Sequence, residues 1–166
     1  GHSDPIETLN SNIIATLNLL LSLSNTSVCK NIVVATTDKV YLNNHRYNKE
    51  TDPLGGSDFY SFSKVGVEKV IDIFTSRKEN NLCVSIVRSG NVIGGGDRGE
   101  DRLMTDLIAS FNEKKVFYVR NKKSIRPWQY VLDSVYGYLL VGENNLKIKK
   151  GEIFNLNPKL NNKYTV

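Results

Sequence analysis

The feature that most constrains this chain is the alternation of short β-branched runs with longer segments of helical period. Residues 31–35 contain Ile32-Val33-Val34, and residues 82–87 form a second β-rich run. Between them, over 59–78, Tyr60, Val67, Val70, Ile71 and Phe74 recur at helical spacing. Upstream, Ile6, Leu9, Ile13, Ile14, Leu17, Leu20 and Leu21 stand three and four apart. That spacing predicts an amphipathic helix over 5–24, capped by Asp4 with Pro5 in its first turn. Residues 103–113 and 131–143 read as further helices. Val116 to Val119 and residues 153–156 read as further strands. Strands interleaved with helices specify an α/β layer fold around a mainly parallel sheet. The polar stretch 41–57, with Pro53 and Gly55-Gly56, reads as a loop, as does Gly94-Gly95-Gly96-Asp97.

The charge of the 166-residue chain is +5, from 22 basic and 17 acidic residues, and bears on the partner. The basic residues form no long block. The densest runs, 147–150 and 122–123, read as solvated turns. No nucleic-acid motif accompanies them, so the expected partner is an anionic small molecule rather than nucleic acid. No apolar run approaches the roughly 18 residues of a membrane span. Cys29 and Cys83 make neither a disulfide framework nor a zinc site, so no metal is expected. Nothing reads as a signal peptide, and the expected setting is cytoplasmic. In open α/β sheets, ligands bind beyond the carboxyl ends of the strands. Here the two central runs end in Thr36-Thr37-Asp38-Lys39 and in Arg88-Ser89-Gly90-Asn91.

Tyr60 and Lys64, four apart on a helix, share one face. An ammonium beside a phenol favours the phenolate, so the pair predicts a lowered tyrosine pKa and a general base near neutral pH. With the hydroxyl-bearing strand end and the polar loop before it, Tyr60-x-x-x-Lys64 resembles the extended short-chain dehydrogenase/reductases. A narrower resemblance rests on Thr36-Thr37-Asp38-Lys39-Val40-Tyr41, Asp52-Pro53-Leu54-Gly55-Gly56, Gly90-Asn91-Val92-Ile93-Gly94-Gly95-Gly96-Asp97, Glu100-Asp101-Arg102-Leu103 and Arg126-Pro127-Trp128-Gln129-Tyr130-Val131. In that order they resemble the sugar-nucleotide 4,6-dehydratases, and within them the branch acting on CDP-glucose.

The resemblance implies a Rossmann-like sheet flanked by helices with part of a smaller carboxyl-terminal substrate region. Residues 1–98 would be the second half of an NAD-binding domain, and 99–166 a partial substrate-binding region interleaved with it. It implies that Thr37 (or Thr36), Tyr60 and Lys64 serve oxidation at sugar C4, with Asn12 helping to hold the active-site helix. Asp38 stands at the position of the acid and Lys39 at that of the base for elimination of water. Thr36, Tyr60, Lys64 and Ser89 are the expected contacts of NAD. Asn91 and Arg126 are expected to hold the substrate's phosphates, with Arg102 and Arg120 as weaker candidates. With the first strands missing, one sheet edge and apolar helix faces would be uncovered, so a homo-oligomer, or a partner carrying the absent half, is expected. The dinucleotide fingerprint Gly-x-x-Gly-x-x-Gly is absent from the sequence. By the resemblance the chain starts partway through the sheet and is expected to be inactive alone. A dehydratase or epimerase for a UDP-, dTDP- or GDP-linked sugar, or a non-catalytic binding fragment, stays open on the residues themselves.

Overall fold

A computed structural model describes residues 4–26, 28–42, 47–77, 81–99, 101–119, 122–147, 152–158 and 164–165. In chain order the elements are α1 (Pro5–Leu9), a π-helical turn (Asn10–Ile14), α2 (Ala15–Ser24), β1 (Asn31–Thr37), a 3-10 turn (Asp38–Val40) and α3 (Phe59–Thr75). Next come β2 (Cys83–Ser89), β3 (Val92–Ile93), α4 (Leu103–Asn112), β4 (Ile125–Arg126), β5 (Gln129–Tyr130) and α5 (Val131–Asn144). A 3-10 turn (Asn145–Lys147), β6 (Ile153–Leu156) and β7 (Tyr164–Thr165) complete the order. None of the described helices is long and apolar enough to cross a membrane.

The chain divides into two compact units. The first comprises Gly1–Ser89 with Tyr136–Leu156, and the second Gly90–Val135 with Asn157–Val166. In the first, three parallel strands stand in the order β1-β2-β6. Asn31 pairs with Cys83 at one end and Thr37 with Ser89 at the other, while Ser89 faces Leu156 on β6. A parallel pair needs a crossover, and α3 supplies it. The core lies between sheet and helices: Leu20, Val67, Ile71, Phe74, Leu82, Val84 and Ile86 are all buried. Each such side chain contributes about 1.5–3 kcal/mol by leaving water.

The helix expected over 5–24 forms, and Asp4 caps it by accepting from the Glu7 amide at 2.9 Å. Its run is not uniform: the π-helical turn at Asn10–Ile14 separates α1 from α2. The hydrophobic spacing gave no warning of it, because one widened turn shifts the apolar face only locally. Opposite this turn α3 presents Gly66, where a Cβ would stand 2.5 Å from the Ile13 side chain. A larger residue there would require the end of the Ile13 side chain to shift.

The strand expected at Val116 to Val119 does not form. Val116 and Tyr118 are 73% and 83% exposed, and no described strand pairs with this segment. β-branched composition alone does not make a strand without a partner to complete its hydrogen bonds. The second unit instead holds two-residue strands too short to leave a periodic trace: β3 parallel to β5 and β4 antiparallel to β7. The 41–57 loop is closed on itself. Tyr41 bridges Leu54, the Leu42 amide donates to the Pro53 carbonyl at 2.9 Å, and the Gly55 amide to the Val40 carbonyl at 2.7 Å.

Candidate active site

The carboxyl end of β1 runs into the 3-10 turn that carries Asp38 and Lys39. The Thr37 hydroxyl accepts from the Lys39 amide at 3.3 Å and stands 3.3 Å from the Asp38 carboxylate. It also forms a hydrogen bond with the Tyr60 phenol. The Lys39 ammonium lies 5.6 Å from the centre of the Tyr60 ring, and the Lys64 ammonium 5.9 Å. Thr37, Asp38, Lys39, Tyr60 and Lys64 therefore meet at one place beyond the sheet. Of the two threonines left open by the sequence, Thr37 meets the tyrosine. Thr36 turns the other way and donates its hydroxyl to Glu68 at 2.8 Å.

Helix α3 is prepared for this role from both sides. Asp58 caps it, its carboxylate accepting from the Tyr60 and Ser61 amides at 2.9 and 3.0 Å. Those bonds, the Ser61 amide's first, hold the Asp58 carboxyl below its usual range. Asn12, in the π-helical turn, donates to the Ser63 hydroxyl at 3.0 Å, and Ser63 donates to the Tyr60 carbonyl at 2.7 Å. The asparagine thus reaches the helix at the turn that carries Tyr60.

The electrostatics correct one expectation. Tyr60 is held above the ordinary phenol value, not below it. Burial is the main cause; Asp38, Asp58 and the Tyr138 phenol add to it, and the Thr37 hydrogen bond opposes without overcoming it. Burial also lowers the Lys64 ammonium. Loss of water, not the lysine four residues away, sets the direction for Tyr60. Among the described residues Lys64 makes no ion pair, which leaves its donors for a bound molecule.

Two features escaped the sequence. The Ser89 hydroxyl lies 2.6 Å from the Tyr138 hydroxyl of α5, which brings a second phenol to the neighbourhood of Tyr60. Behind the site, Arg88 and Glu68 form an ion pair with side chains 1% and 3% exposed. A charged residue following Ile86-Val87 in a buried strand was the available signal, since arginine is rarely buried unless paired. In the second unit, the Asn91 carbonyl accepts from the Gln129 amide at 2.8 Å, exposed Arg126 lies in β4, and exposed Arg102 pairs with Asp97 at 2.9 Å. Arg120 lies outside the described residues.

The carboxyl end of the parallel sheet thus gathers a threonine, a tyrosine and a lysine, and comparison with known proteins gives the family. The chain belongs to the NAD dependent epimerase/dehydratase family, which matches residues 1–156. NAD is the cofactor of that family. The chain is 37% identical over 152 residues to a CDP-glucose 4,6-dehydratase of Salmonella typhimurium (strain LT2), covering 86% of this chain and 42% of that protein. Among solved structures it resembles dTDP-glucose 4,6-dehydratase from Bacillus anthracis in complex with NAD, with a TM-score of 0.82 and 22% identity over 98% of this chain and 50% of that one. It also resembles UDP-glucuronic acid 4-epimerase from Bacillus cereus in complex with UDP-glucuronic acid and NAD, with a TM-score of 0.81 and 21% identity over 95% and 48%. These likenesses establish the Rossmann-like fold. The chain spans less than half the length of its curated relative and about half that of the two structures.

Proposed function

We propose that the protein to which this chain belongs is a sugar-nucleotide 4,6-dehydratase that acts on CDP-glucose. The observation that carries the proposal is the placing of Asp38 and Lys39 beside Thr37, with the Lys39 ammonium 5.6 Å from the Tyr60 ring. An epimerase needs groups for oxidation and reduction at C4 alone. A dehydratase also needs an acid and a base for loss of water, and Asp38 and Lys39 are of the right chemical types. The 37% identity to a CDP-glucose 4,6-dehydratase supports the choice of nucleotide.

NAD, when bound, supplies a positively charged hydride acceptor that later returns the hydride. The side chains present fit that partner in part: Tyr60 is 37% exposed, and Lys64 has no ion pair among the described residues, while the glycine fingerprint is not in this sequence. Tyr60 acts as the phenolate, which the Lys64 ammonium and the positive charge of bound NAD would favour against the burial that otherwise raises its pKa, and it takes the proton from the sugar O4. Thr37 holds the same oxygen by hydrogen bonding. The resulting 4-ketone acidifies the C5 proton, which Lys39 removes. Asp38 gives a proton to the departing O6, and water leaves across C5 and C6. The Lys39 ammonium returns its proton to C5, and with the hydride from bound NAD at C6 this leaves the 4-keto-6-deoxy sugar.

In this reading the first unit carries the chemistry. Asn91, Arg126 and, less directly, Arg102 and Arg120 hold the pyrophosphate through charge-assisted hydrogen bonds. Phe62 and Ile73, 52% and 62% exposed on α3, support association with a second copy. The test is a product assay of the full protein on CDP-, UDP- and dTDP-glucose. Formation of the 4-keto-6-deoxy product from CDP-glucose is expected. Preference for another nucleotide overturns the CDP assignment, and a 4-epimer as product overturns the dehydratase.

A further inference from the structure

We infer that the buried Glu68–Arg88 pair is a positioning device that holds Thr37 against Tyr60. The inference rests on the assignment of those two residues to the substrate oxygen. Tyr60, Lys64 and Glu68 stand four apart on α3 and so share one face of the helix. Glu68 Oε1 accepts from Thr36 Oγ1 at 2.8 Å and from Arg88 Nε at 2.9 Å, while Oε2 accepts from Arg88 Nη2. Thr36 and Arg88 are themselves partners in the β1–β2 register. The carboxylate therefore locks the helix to two adjacent strands, one turn beyond Lys64.

The guanidinium secures the other end of the same segment. Arg88 Nη1 donates to the Tyr41 hydroxyl at 2.7 Å and to the Glu50 carbonyl at 3.0 Å, and its Cζ lies 4.8 Å from the centre of the Tyr41 ring. The Tyr41 hydroxyl donates in turn to Asn155 of β6 at 2.6 Å. Thr36 and Tyr41 bracket Thr37, Asp38 and Lys39 in sequence. One ion pair thus fixes both chain segments that bring the candidate site together.

Stability alone does not account for such a pair. Replacing a buried ion pair by apolar side chains of similar volume is often neutral or better for stability. Apolar contact, however, is non-directional. A slip of α3 by one residue is about 1.5 Å along its axis, and a misplacement of about 1 Å costs about 100-fold in rate. The directional bonds from Thr36 and Arg88 to a single carboxylate forbid that slip.

The experiment compares the full protein with its Glu68→Met/Arg88→Met variant. The readout is the Cζ resonance of Tyr60 in isotopically labelled protein, assigned with Tyr60→Phe. In the parent, Thr37→Val shifts this resonance, because the phenol loses its hydrogen bond. In the double variant the expected shift on Thr37→Val is absent, and turnover falls about 100-fold in kcat with KM unchanged. An equal response to Thr37→Val in both backgrounds, zero included, overturns the inference. Should the double variant not fold, Glu68→Gln is put through the same comparison with the same two outcomes. A parent that turns over no sugar nucleotide defeats the dehydratase reading, while the resonance still decides the positioning.

Discussion

Two arginine–carboxylate pairs, one in each compact unit, show how differently the same chemistry acts in dry and wet surroundings. Arg88 and Glu68 have side chains 1% and 3% exposed and share their charges with Thr36 and Tyr41. Arg102 and Asp97 have side chains 65% and 33% exposed and close only a local turn. The first pair has exchanged water for protein hydrogen bonds, so loss of either member strands the other. The second keeps water as an alternative partner. A buried pair therefore specifies geometry, whereas an exposed one is free to serve an incoming anion.

The comparison supposes that the buried pair holds a reacting group in place. Tyr60→Phe tests this with the largest expected effect: in the proposed reaction the O4 proton loses its base and turnover of the full protein falls steeply. General-base removal costs about 100- to 10,000-fold. Lys39→Ala should spare the oxidation and slow elimination. Rapid-mixing absorbance is then expected to show a burst of reduced cofactor in the lysine variant and none in the tyrosine variant. A burst in both would remove Tyr60 from the first step.

Next in size is the break in the buried pair itself. Glu68→Gln leaves the Arg88 guanidinium without its counter-charge and is expected to cost about 3–5 kcal/mol. Urea denaturation of parent and variant measures it. A cost near zero would mean that water reaches the pair, and the contrast between the two units would collapse.

How far the sequence led follows the same division between dry and wet. The helices and the three main strands were legible because burial imposes a period on apolar residues, as at Val67, Ile71 and Phe74 on α3. The shared face of Tyr60 and Lys64 was legible in their four-residue spacing, and the chemically unusual strand end in its polar residues, but joining Thr37 and Asp38 to that pair rested on the family resemblance. The Tyr60 pKa was misread, since spacing reports a neighbouring charge and not the loss of water that outweighs it. The Ser89–Tyr138 contact and the Glu68–Arg88 pair join residues 49 and 20 positions apart, which no local pattern carries. Val116 to Val119 failed as a strand for the complementary reason: its composition suited a sheet that was not there to receive it.

A smaller effect sharpens the account of α3. Asp58→Ala removes the cap and is expected to cost about 1 kcal/mol. The Asp58 carboxyl is held below its ordinary value by hydrogen bonds from Ser61 and Tyr60. A group lowered in the folded state stabilises above its unfolded pKa, near 4, and this contribution fades as pH falls through the folded value. Parent and variant should therefore differ at pH 7 and converge in acid. A difference that persists unchanged below the folded pKa would assign the cost to packing instead.

The smallest expected effect on stability belongs to the exposed pair, and it is also the most discriminating. Arg102 Nη1 reaches both Asp97 oxygens, at 3.0 and 2.9 Å, yet Asp97 also accepts from the Gly99 amide at 3.0 Å. The turn therefore survives without the arginine, and water replaces the guanidinium at little cost. Arg102→Ala is expected to leave the urea midpoint where it was. If the side chain serves the substrate phosphates, the same variant raises KM for the sugar nucleotide with kcat unchanged, and the increase shrinks as added salt screens the charge. Asp97→Ala should do the reverse, since it releases the guanidinium from its present partner and lowers KM. A stability loss in Arg102→Ala comparable to that in Glu68→Gln would show that exposure does not separate the two pairs. An unchanged KM in both surface variants would restrict phosphate binding to other residues, Asn91 and Arg126 first among them.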